Sequence, residues 1–429
     1  MTTLPPTTPW MQRDDLRRLI AALGVKNARY VGGAVRDTLL GLTVKDIDVA
    51  TPLEPREVMR RLKAQGIKVI PTGIDHGTVT AILPGGATEI TTLRHDISTD
   101  GRRATVAFAH EWQDDAARRD FTINALYADP TSGEIFDWFG GLDDLKARTV
   151  RFIGDAEQRI REDHLRILRY FRFQARFGSQ PADSEAEQAC SALAATLKGL
   201  SRERVGMEIM NLLGLPDPAP TVARMAQLGV LQVVLPEADV AALAALVAQE
   251  ERQGVEPDAL RRLAALLPSD VSLAEQVASR FRLSGAQKKR LALAAGRNRI
   301  LPGTGRGTSE AGGGGLPHQT TSLQDASPRH HPAGGPPPRA REDQARALAF
   351  HFGRAAALDR LLLAGKSIDA LNDWEIPTFP LKGGDIVARG ILAGPEVSRL
   401  LKAVEARWVN EGFPDAARAF ALLDAELGG

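Results

Sequence analysis

The sequence predicts an α+β protein, with a small mixed head to about residue 150 and an elongated all-helical remainder. Three observations predict it. Short β-patterned runs alternate with amphipathic helical patterns before residue 150, and none of comparable quality returns after Phe152. Turn signals such as Pro84-Gly85-Gly86 close the early runs, as expected where strands reverse. The later helical pattern is continuous except for one stretch, 297–342, that has almost no apolar residues.

Residues 13–23 place Leu16, Ile20 and Leu23 on one face of a helix. Strands are expected at 28–31, 46–50, 67–70, 78–83 and 87–92. A helix at 54–65, with Val58 and Leu62 on one side, falls between two of them. Helices are then expected at 155–177, 182–197, 201–213, 217–228, 238–250, 257–267, 272–282 and 284–295. The interrupting stretch contains Gly312-Gly313-Gly314-Gly315, His330-His331 and Pro336-Pro337-Pro338. Such a composition cannot bury a core, and reads as a disordered linker, an insertion or a translation-frame error. Helical patterns resume at 343–364 and 396–427, with turns at 377–385 and 390–395 between them.

At 429 residues the chain has room for two to four domains. Its 54 basic and 53 acidic residues leave net charge silent about a polyanionic partner. Arginine outnumbers lysine 43 to 11 and clusters at 102–103, 118–119 and 161–176. Guanidinium forks suit phosphate, although a GC-rich gene gives the same bias. The single cysteine, Cys190, excludes a disulfide within the chain. The longest apolar run, Val240 to Ala248, is too short to span a membrane. Thr2 to Pro9 lacks an apolar signal core. The expectation is a soluble cytoplasmic protein with no membrane partner; no protein partner is inferable.

The strongest chemical signal is Val31-Gly32-Gly33-Ala34-Val35-Arg36-Asp37, followed by Asp46-Ile47-Asp48. On a strand, residues i and i+2 share a face, so Asp46 and Asp48 project together while Ile47 and Val49 face a core. Two carboxylates beside a glycine turn with N–H groups open to a phosphate suit Mg²⁺-dependent phosphoryl or nucleotidyl transfer. The bland alternative is a loop glycine pair and two solvated aspartates. Glu89, in a probable strand, is either a third metal carboxylate or an exposed strand residue.

Arg118-Arg119-Asp120-Phe121-Thr122-Ile123-Asn124-Ala125 comes next. If the segment is helical from Asp120, Asp120 and Asn124 share a face. Arg119 could then neutralise triphosphate oxygens while the carboxylate and amide hold a ribose hydroxyl. In Arg161-Glu162-Asp163-His164-Leu165-Arg166, the i, i+3 and i, i+4 spacings let Glu162, Asp163 and Arg166 cluster on one helix surface. Glu162 could still the Arg166 fork. Asp163 would accept a hydrogen bond and Arg166 donate one. Cytosine and adenine offer that order of donor and acceptor on their pairing edges, while uracil and guanine offer the reverse. The alternative is an ordinary surface ion-pair ladder. Asp100-Gly101-Arg102-Arg103 reads as a mobile loop close to the site. Ser201 is a plausible N-cap, and Arg204 behind it lies where an RNA backbone could pass.

Taken in order, these motifs resemble the class II tRNA nucleotidyltransferases, the bacterial CCA-adding enzymes and their poly(A) polymerase relatives. The likeness runs through residues 32–37, 46–48, 91–94, 100–103, 118–125 and 162–166, and through Phe379-Pro-Leu-Lys-Gly-Gly-Asp385 to Gly412-Phe413. It implies a polymerase-β-like head with a mixed sheet (1–150), a helical neck (151–215), a body (216–296) and a tail (343–429) in a seahorse-like molecule. It implies that Asp46 and Asp48 bind Mg²⁺ and are catalytic. Gly32, Gly33 and Arg36 would meet the nucleotide phosphates, and Arg119, Asp120 and Asn124 the triphosphate and ribose. Asp163 and Arg166 would read the base, with Glu162 orienting and Arg169 on the phosphates. The loop with Arg102 and Arg103 would reshape the pocket from CTP to ATP use, and body and tail would hold the tRNA acceptor arm. The activity implied is untemplated addition of CCA to tRNA from CTP and ATP, with pyrophosphate released. Alternatives are a poly(A) polymerase, an enzyme adding only CC or only A, and a non-catalytic tRNA-binding protein. No phosphohydrolase-type His-Asp domain is evident, so no phosphatase activity is expected.

Overall fold

The computed structural model describes residues 2–5, 7–99, 104–298 and 338–428. They fall into two compact units. The first comprises Met1–Ala244, Pro257–Leu266 and Ser279–Leu283; the second comprises Ala245–Glu256, Leu267–Ala278 and Ser284–Gly429.

The first unit opens with α1 (Asp14–Leu23), β1 (Arg29–Val31), α2 (Gly33–Leu39), β2 (Ile47–Thr51), α3 (Pro55–Ala64), β3 (Lys68–Gly73), β4 (Thr78–Leu83) and β5 (Gly86–Thr92). The apolar stripe of α1 is buried at Leu16, Ile20 and Leu23, and that of α3 at Val58 and Leu62. The two helices pack on each other, and α3 also covers β3 and β4. Then follow β6 (Arg94–Thr99), β7 (Ala104–Phe108), α4 (Trp112–Ala117), β8 (Tyr127–Ala128), β9 (Ile135–Phe136) and α5 (Gly141–Ala147). Seven strands form one sheet in the order β3-β4-β5-β2-β1-β8-β9, while β6 and β7 pair apart from it. Only the β2–β5 pairing is parallel among the described strands, which makes the sheet mixed.

The five expected strands are present. The pairs β6–β7 and β8–β9 were not expected. The strands β8 and β9 are two residues each, too short to carry an alternating pattern, and exist because a neighbouring strand is there to pair with.

The chain continues with α6 (Ala156–Glu162), α7 (Arg166–Phe177), α8 (Ser184–Ala192) and α9 (Arg202–Leu213). The expectation of one helix over 155–177 is corrected. Asp163 takes extended angles, φ −148° and ψ 104°, and its Oδ1 accepts the Leu165 N–H at 3.1 Å. A side chain that satisfies the backbone in this way competes with the helical ladder and ends it. The helix expected over 182–197 likewise stops at Ala192 and passes into a 3₁₀ turn, Ala194–Gly199. After α10 (Ala219–Gln227) and α11 (Leu231–Val234) come α12 (Val240–Arg252), α13 (Ala259–Leu266) and α14 (Val271–Arg280). Arg262, 1% exposed, caps the end of α9 by donating to the carbonyls of Leu213, Leu215 and Pro216.

The second unit contains α15 (Gly285–Ala295), α16 (Pro338–Phe352), α17 (Arg354–Leu363), α18 (Gly383–Val387), α19 (Pro395–Asn410) and α20 (Ala416–Leu427). The pattern at 343–364 splits at Gly353, φ +82°, and its first helix starts earlier, at Pro338. The pattern at 396–427 splits at Gly412 and Phe413, both at positive φ. Trp408 is 2% exposed and lies against Phe350, Phe379 and Phe413 at 5.6, 5.3 and 5.0 Å. Of the low-complexity stretch, residues 299–337 lie outside the described residues. Absence of apolar helical periodicity from the other reading frames of its coding DNA would remove the frame-error reading. No helix among the described residues is long and apolar enough to cross a membrane.

One glycine holds the head's central turn in place. A Cβ on Gly141 would sit 2.3 Å from the carbonyl oxygen of Thr122, so α5 can meet the turn Thr122–Asn124 only without a side chain there. Gly141→Ala should lower the unfolding free energy by about 1–3 kcal/mol, read from urea denaturation, while Gly66→Ala, which meets nothing within 4 Å but has φ +69°, should cost about 1 kcal/mol from backbone strain alone.

Candidate active site

Strand β2 alternates buried Ile47 and Val49 with exposed Asp48. The strand begins at Ile47, so Asp46 stands at its entrance and not within it. Both aspartates are exposed. In the parallel pairing of β2 with β5, Asp48 lies in register with Glu89, which puts both on one face of the sheet. No hydrogen bond or ion pair among the described residues engages the carboxylates of Asp46, Asp48 or Glu89. Six other carboxylates of the first unit each have an arginine. Asp37 pairs with Arg36, Asp115 with Arg119, Asp120 with Arg169, Glu162 with Arg166, Asp163 with Arg204 and Glu208 with Arg172. Asp48, repelled by Glu89 and Asp46 and held in no ion pair among the described residues, fits a place for a divalent cation. No three His, Cys, Asp or Glu side chains among the described residues form a ready metal cage. Carboxylate oxygens of this kind suit a hard divalent cation that completes its shell with water and phosphates.

Between β1 and α2 the chain turns at Gly32, φ +69°, a conformation that only glycine adopts cheaply. A Cβ there would also meet Arg119 Nη1 at 3.4 Å. Arg36 on α2 is buried, donates from Nε to Asp37 Oδ1 at 2.8 Å and from Nη1 to the Asn124 side-chain Oδ1, and lies 4.1 Å from the Phe177 ring centre. Burial pushes its pKa down, and the Asp37 charge opposes that.

Asp120 does not open a helix, contrary to expectation. The turn that follows is 3₁₀, Thr122–Asn124. The pairing of Asp120 with Asn124 forms nonetheless, at 2.9 Å from Asn124 Nδ2 to Asp120 Oδ1. Arg169 Nε donates to Asp120 Oδ2 at 2.8 Å. Burial would raise the Asp120 carboxyl, but the Arg169 charge and the Asn124 hydrogen bond win and hold it down at about 2.

Glu162 takes Arg166 Nη1 at 2.6 Å, and Arg166 also donates to the Arg159 and Arg118 carbonyls. Asp163 does not join them. The break between α6 and α7 turns it away, and its Oδ2 accepts from Arg204 Nη2 at 2.7 Å. Ser201 occupies the N-cap position of α9 but makes no side-chain capping bond. Arg102 and Arg103 lie outside the described residues.

Sequence reasoning missed several participants. Asp115 and Tyr127 hold Arg119, at 3.2 Å from Arg119 Nη2 and 3.0 Å from Arg119 Nε. Arg159 donates to the carbonyls of Arg118 and Arg119 and to Glu162. Glu208, 4% exposed, takes Arg172 at 2.6 Å and lies 3.9 Å from Arg169. The signal for Arg172 and Arg176 was in the sequence, since Arg166, Arg169, Arg172 and Arg176 recur at helical spacing. The signal for Asp115, Tyr127 and Glu208 was not, because nothing local marks them.

Residues 28–151 match the family model for the Poly A polymerase head domain, and residues 183–241 match one described as a probable RNA and SrmB-binding site of polymerase A. The chain is 33% identical over 390 residues to the mouse (Mus musculus) protein named CCA tRNA nucleotidyltransferase 1, mitochondrial, which covers 90% of this chain and 83% of that one. It is 45% identical over 185 residues to the CCA-adding enzyme of Oceanobacillus iheyensis, 43% of this chain and 45% of that one. The crystal structure of the Bacillus stearothermophilus CCA-adding enzyme in complex with CTP superposes with a TM-score of 0.66 at 25% identity, covering 97% of this chain and 98% of that one. The Thermotoga maritima CCA-adding enzyme complexed with tRNA has the same fold, with a TM-score of 0.63 at 21% identity over 96% of this chain and 95% of that one.

The unpaired carboxylates leave an electrostatic trace. Although Asp48 is open to solvent on one side, the protein packed around its carboxyl strips hydration and, with the Glu89 charge, pushes it up to about 6, with Arg119 acting against them and Asp46 with them. An unfolded chain releases this proton near about pH 4. Between those values the folded chain binds more protons than the unfolded one, so stability falls as pH rises through the window and the loss is complete above it. Without divalent metal, Asp48→Asn should therefore melt higher than the parent at pH 7.5, and the gap should close by pH 4. A variant that melts no higher at pH 7.5 would remove the repulsion from the account.

Proposed function

This chain belongs to the family of CCA tRNA nucleotidyltransferases and poly(A) polymerases, and on that premise we propose how its residues divide the work. The enzyme adds CCA to the 3′ end of tRNA without a nucleic-acid template, using CTP and ATP. The tRNA 3′ oxygen forms a bond to the α-phosphorus, and the bond from that phosphorus to the bridging oxygen breaks, releasing pyrophosphate. The family is metal-dependent; here we take the metal to be Mg²⁺. The observation that carries this reading is the edge of carboxylates, Asp46 and Asp48, left without arginines beside the Gly32-Gly33 turn.

Asp46 and Asp48 would hold the metal, with Glu89 in register beside them. The metal supplies activation of the 3′-hydroxyl and neutralisation of the leaving pyrophosphate. Gly32 and Gly33 let the phosphates approach the backbone at the start of α2. Arg119, stilled by Asp115 and Tyr127, and Arg169 meet triphosphate oxygens. Arg36 fixes the Asn124 amide, and Asp120 with Asn124 holds the ribose. Asp163 accepts the exocyclic amino hydrogen of cytosine or adenine, and Arg166, gripped by Glu162, donates to the ring nitrogen beside it. Uracil and guanine would leave both protein groups facing their own kind, a mismatch worth several kcal/mol where water is excluded, on the order of a hundredfold or more in selection.

In this proposal residues 1–150 carry the catalytic head, 151–215 read the base, and 216–296 with 343–429 hold the acceptor arm. We place the reaction in the cytoplasm, a compartment that suits the one buried thiol, Cys190.

The test is extension of tRNA that ends before CCA, with Mg²⁺ and CTP, ATP or both, resolved on a sequencing gel. The expected product is three added nucleotides followed by arrest. A long A tail would identify a poly(A) polymerase, and one or two additions a partial enzyme. Asp46→Ala should reduce the rate by roughly a hundredfold or more with tRNA binding retained. A normal rate from Asp46→Ala would overturn the metal assignment.

A further inference from the structure

The two residues assigned to reading the base do not touch each other, and each is gripped by a different partner. Arg166 is held by Glu162 at 2.6 Å. Asp163 is held by Arg204 at 2.7 Å, from α9, a helix that packs against α7. We propose that Arg204 is a positioning residue for nucleotide selection: it aims the Asp163 carboxylate, and through it sets the preference for bases that present an amino donor.

The proposal rests on the base-reading assignment of Asp163 and Arg166. A carboxylate has about four acceptor positions on two oxygens. In Asp163, Oδ1 accepts the Leu165 N–H and Oδ2 accepts Arg204 Nη2. Each oxygen thus has one position filled by the protein and another open. Two anchors from different directions leave the side chain no free rotation, and the open positions point where the protein dictates. The anchor at Oδ1 is local and survives any change on α9. The anchor at Oδ2 ties the Asp163 side chain to α9.

Asp163 needs this external hold because of where it sits. It lies in the break between α6 and α7, outside both helical ladders, and its side chain is 29% exposed. Arg166, in contrast, is within α7, and its side chain is 13% exposed. A donor-reading group on an extended residue would otherwise sample several rotamers, some of which could accept a ring N–H of uracil or guanine. Arg204 is itself only partly exposed, at 32%. The sequence suggested a backbone contact to RNA for this residue; its place on Asp163 gives it a different task, close to the nucleotide.

The experiment measures kcat and KM for CTP against UTP on tRNA lacking CCA, and for ATP against GTP on tRNA ending in CC. The proteins are the full-length chain and its variants Arg204→Ala, Arg204→Lys, Asp163→Ala and the double variant Asp163→Ala with Arg204→Ala. Filter retention of tRNA and a thermal melt accompany each. Arg204→Ala should lower CTP-over-UTP and ATP-over-GTP selection by about tenfold, the loss of one charge-assisted hydrogen bond at the site, mostly through KM for the correct nucleotide. Arg204→Lys should recover part of it, because the contact uses one Nη only. Affinity for tRNA should change by less than about twofold, and Arg204→Ala should add nothing to Asp163→Ala.

Three results would overturn the proposal while leaving the base-reading assignment intact, provided that Asp163→Ala relaxes selection. They are unchanged selection in Arg204→Ala, a further loss when it is added to Asp163→Ala, and a loss of tRNA affinity without loss of selection. If Asp163→Ala itself keeps full selection, the base-reading assignment falls first and the proposal with it. Arg204→Lys serves as the folded comparison if Arg204→Ala melts early.

Discussion

The buried carboxylate of Asp120 is the joint on which the site depends. Its Oδ1 takes the Phe121 N–H and the Asn124 amide, and its Oδ2 takes Arg169 from α7. Asn124 passes the connection to Arg36, Arg36 to Asp37, and Asp37 to Arg176 at 3.5 Å, again on α7. The strand-bearing part of the first unit is thus tied to α7 at two points. Such pairs contribute little net stability, because each charge loses its water. Removing one partner is another matter, at about 3–5 kcal/mol, because the other charge stays buried. The network therefore specifies a geometry more than it stabilises a fold.

That geometry creates a contrast between two kinds of carboxylate. Those buried around α7 are paired with arginine, and against the cost of burial the Arg169 charge and the Asn124 hydrogen bond keep Asp120 ionised at any ordinary pH. Those on the exposed face of β2 and β5 make no ion pair among the described residues, and lost hydration with the Glu89 charge makes Asp48 hold its proton more tightly despite Arg119. The mixed sheet is the cause: parallel register sets Asp48 beside Glu89, while Gly32 frees the neighbouring strand end to turn. The pairing of two strands thus sets the like charges side by side.

Helix α7 serves both purposes. Its apolar face, with Ile167, Leu168, Tyr170, Phe171, Phe173 and Phe177, is buried. Its arginines recur on another face and reach in turn Glu162, Asp120, Glu208 and Asp37. Phe173 and Phe177 sit beneath several of those guanidiniums, an arrangement that lets planar cations pack against rings without losing their edge donors. One helix thereby joins core packing to the orientation of charges around Asp120.

Much of this was legible from the sequence. Alternation in Ile47-Asp48-Val49 is a local property of a strand, so the exposure of Asp48 followed without any knowledge of the rest, whereas Asp46 is exposed ahead of the strand. The i, i+4 spacing of Glu162 and Arg166, and the four-residue spacing of Asp120 and Asn124, also act over a distance the sequence can measure. The second pairing formed even though the expected helix did not. What the sequence could not reveal were contacts between segments far apart in the chain: Arg169 on Asp120, Arg204 on Asp163, Tyr127 on Arg119. The break at Asp163 and the two-residue strands β8 and β9 belong to the same class. Each depends on a partner supplied by the fold, a side chain ending a helix or a strand offering its edge, and local propensity carries no record of a partner that arrives only when the chain has closed on itself.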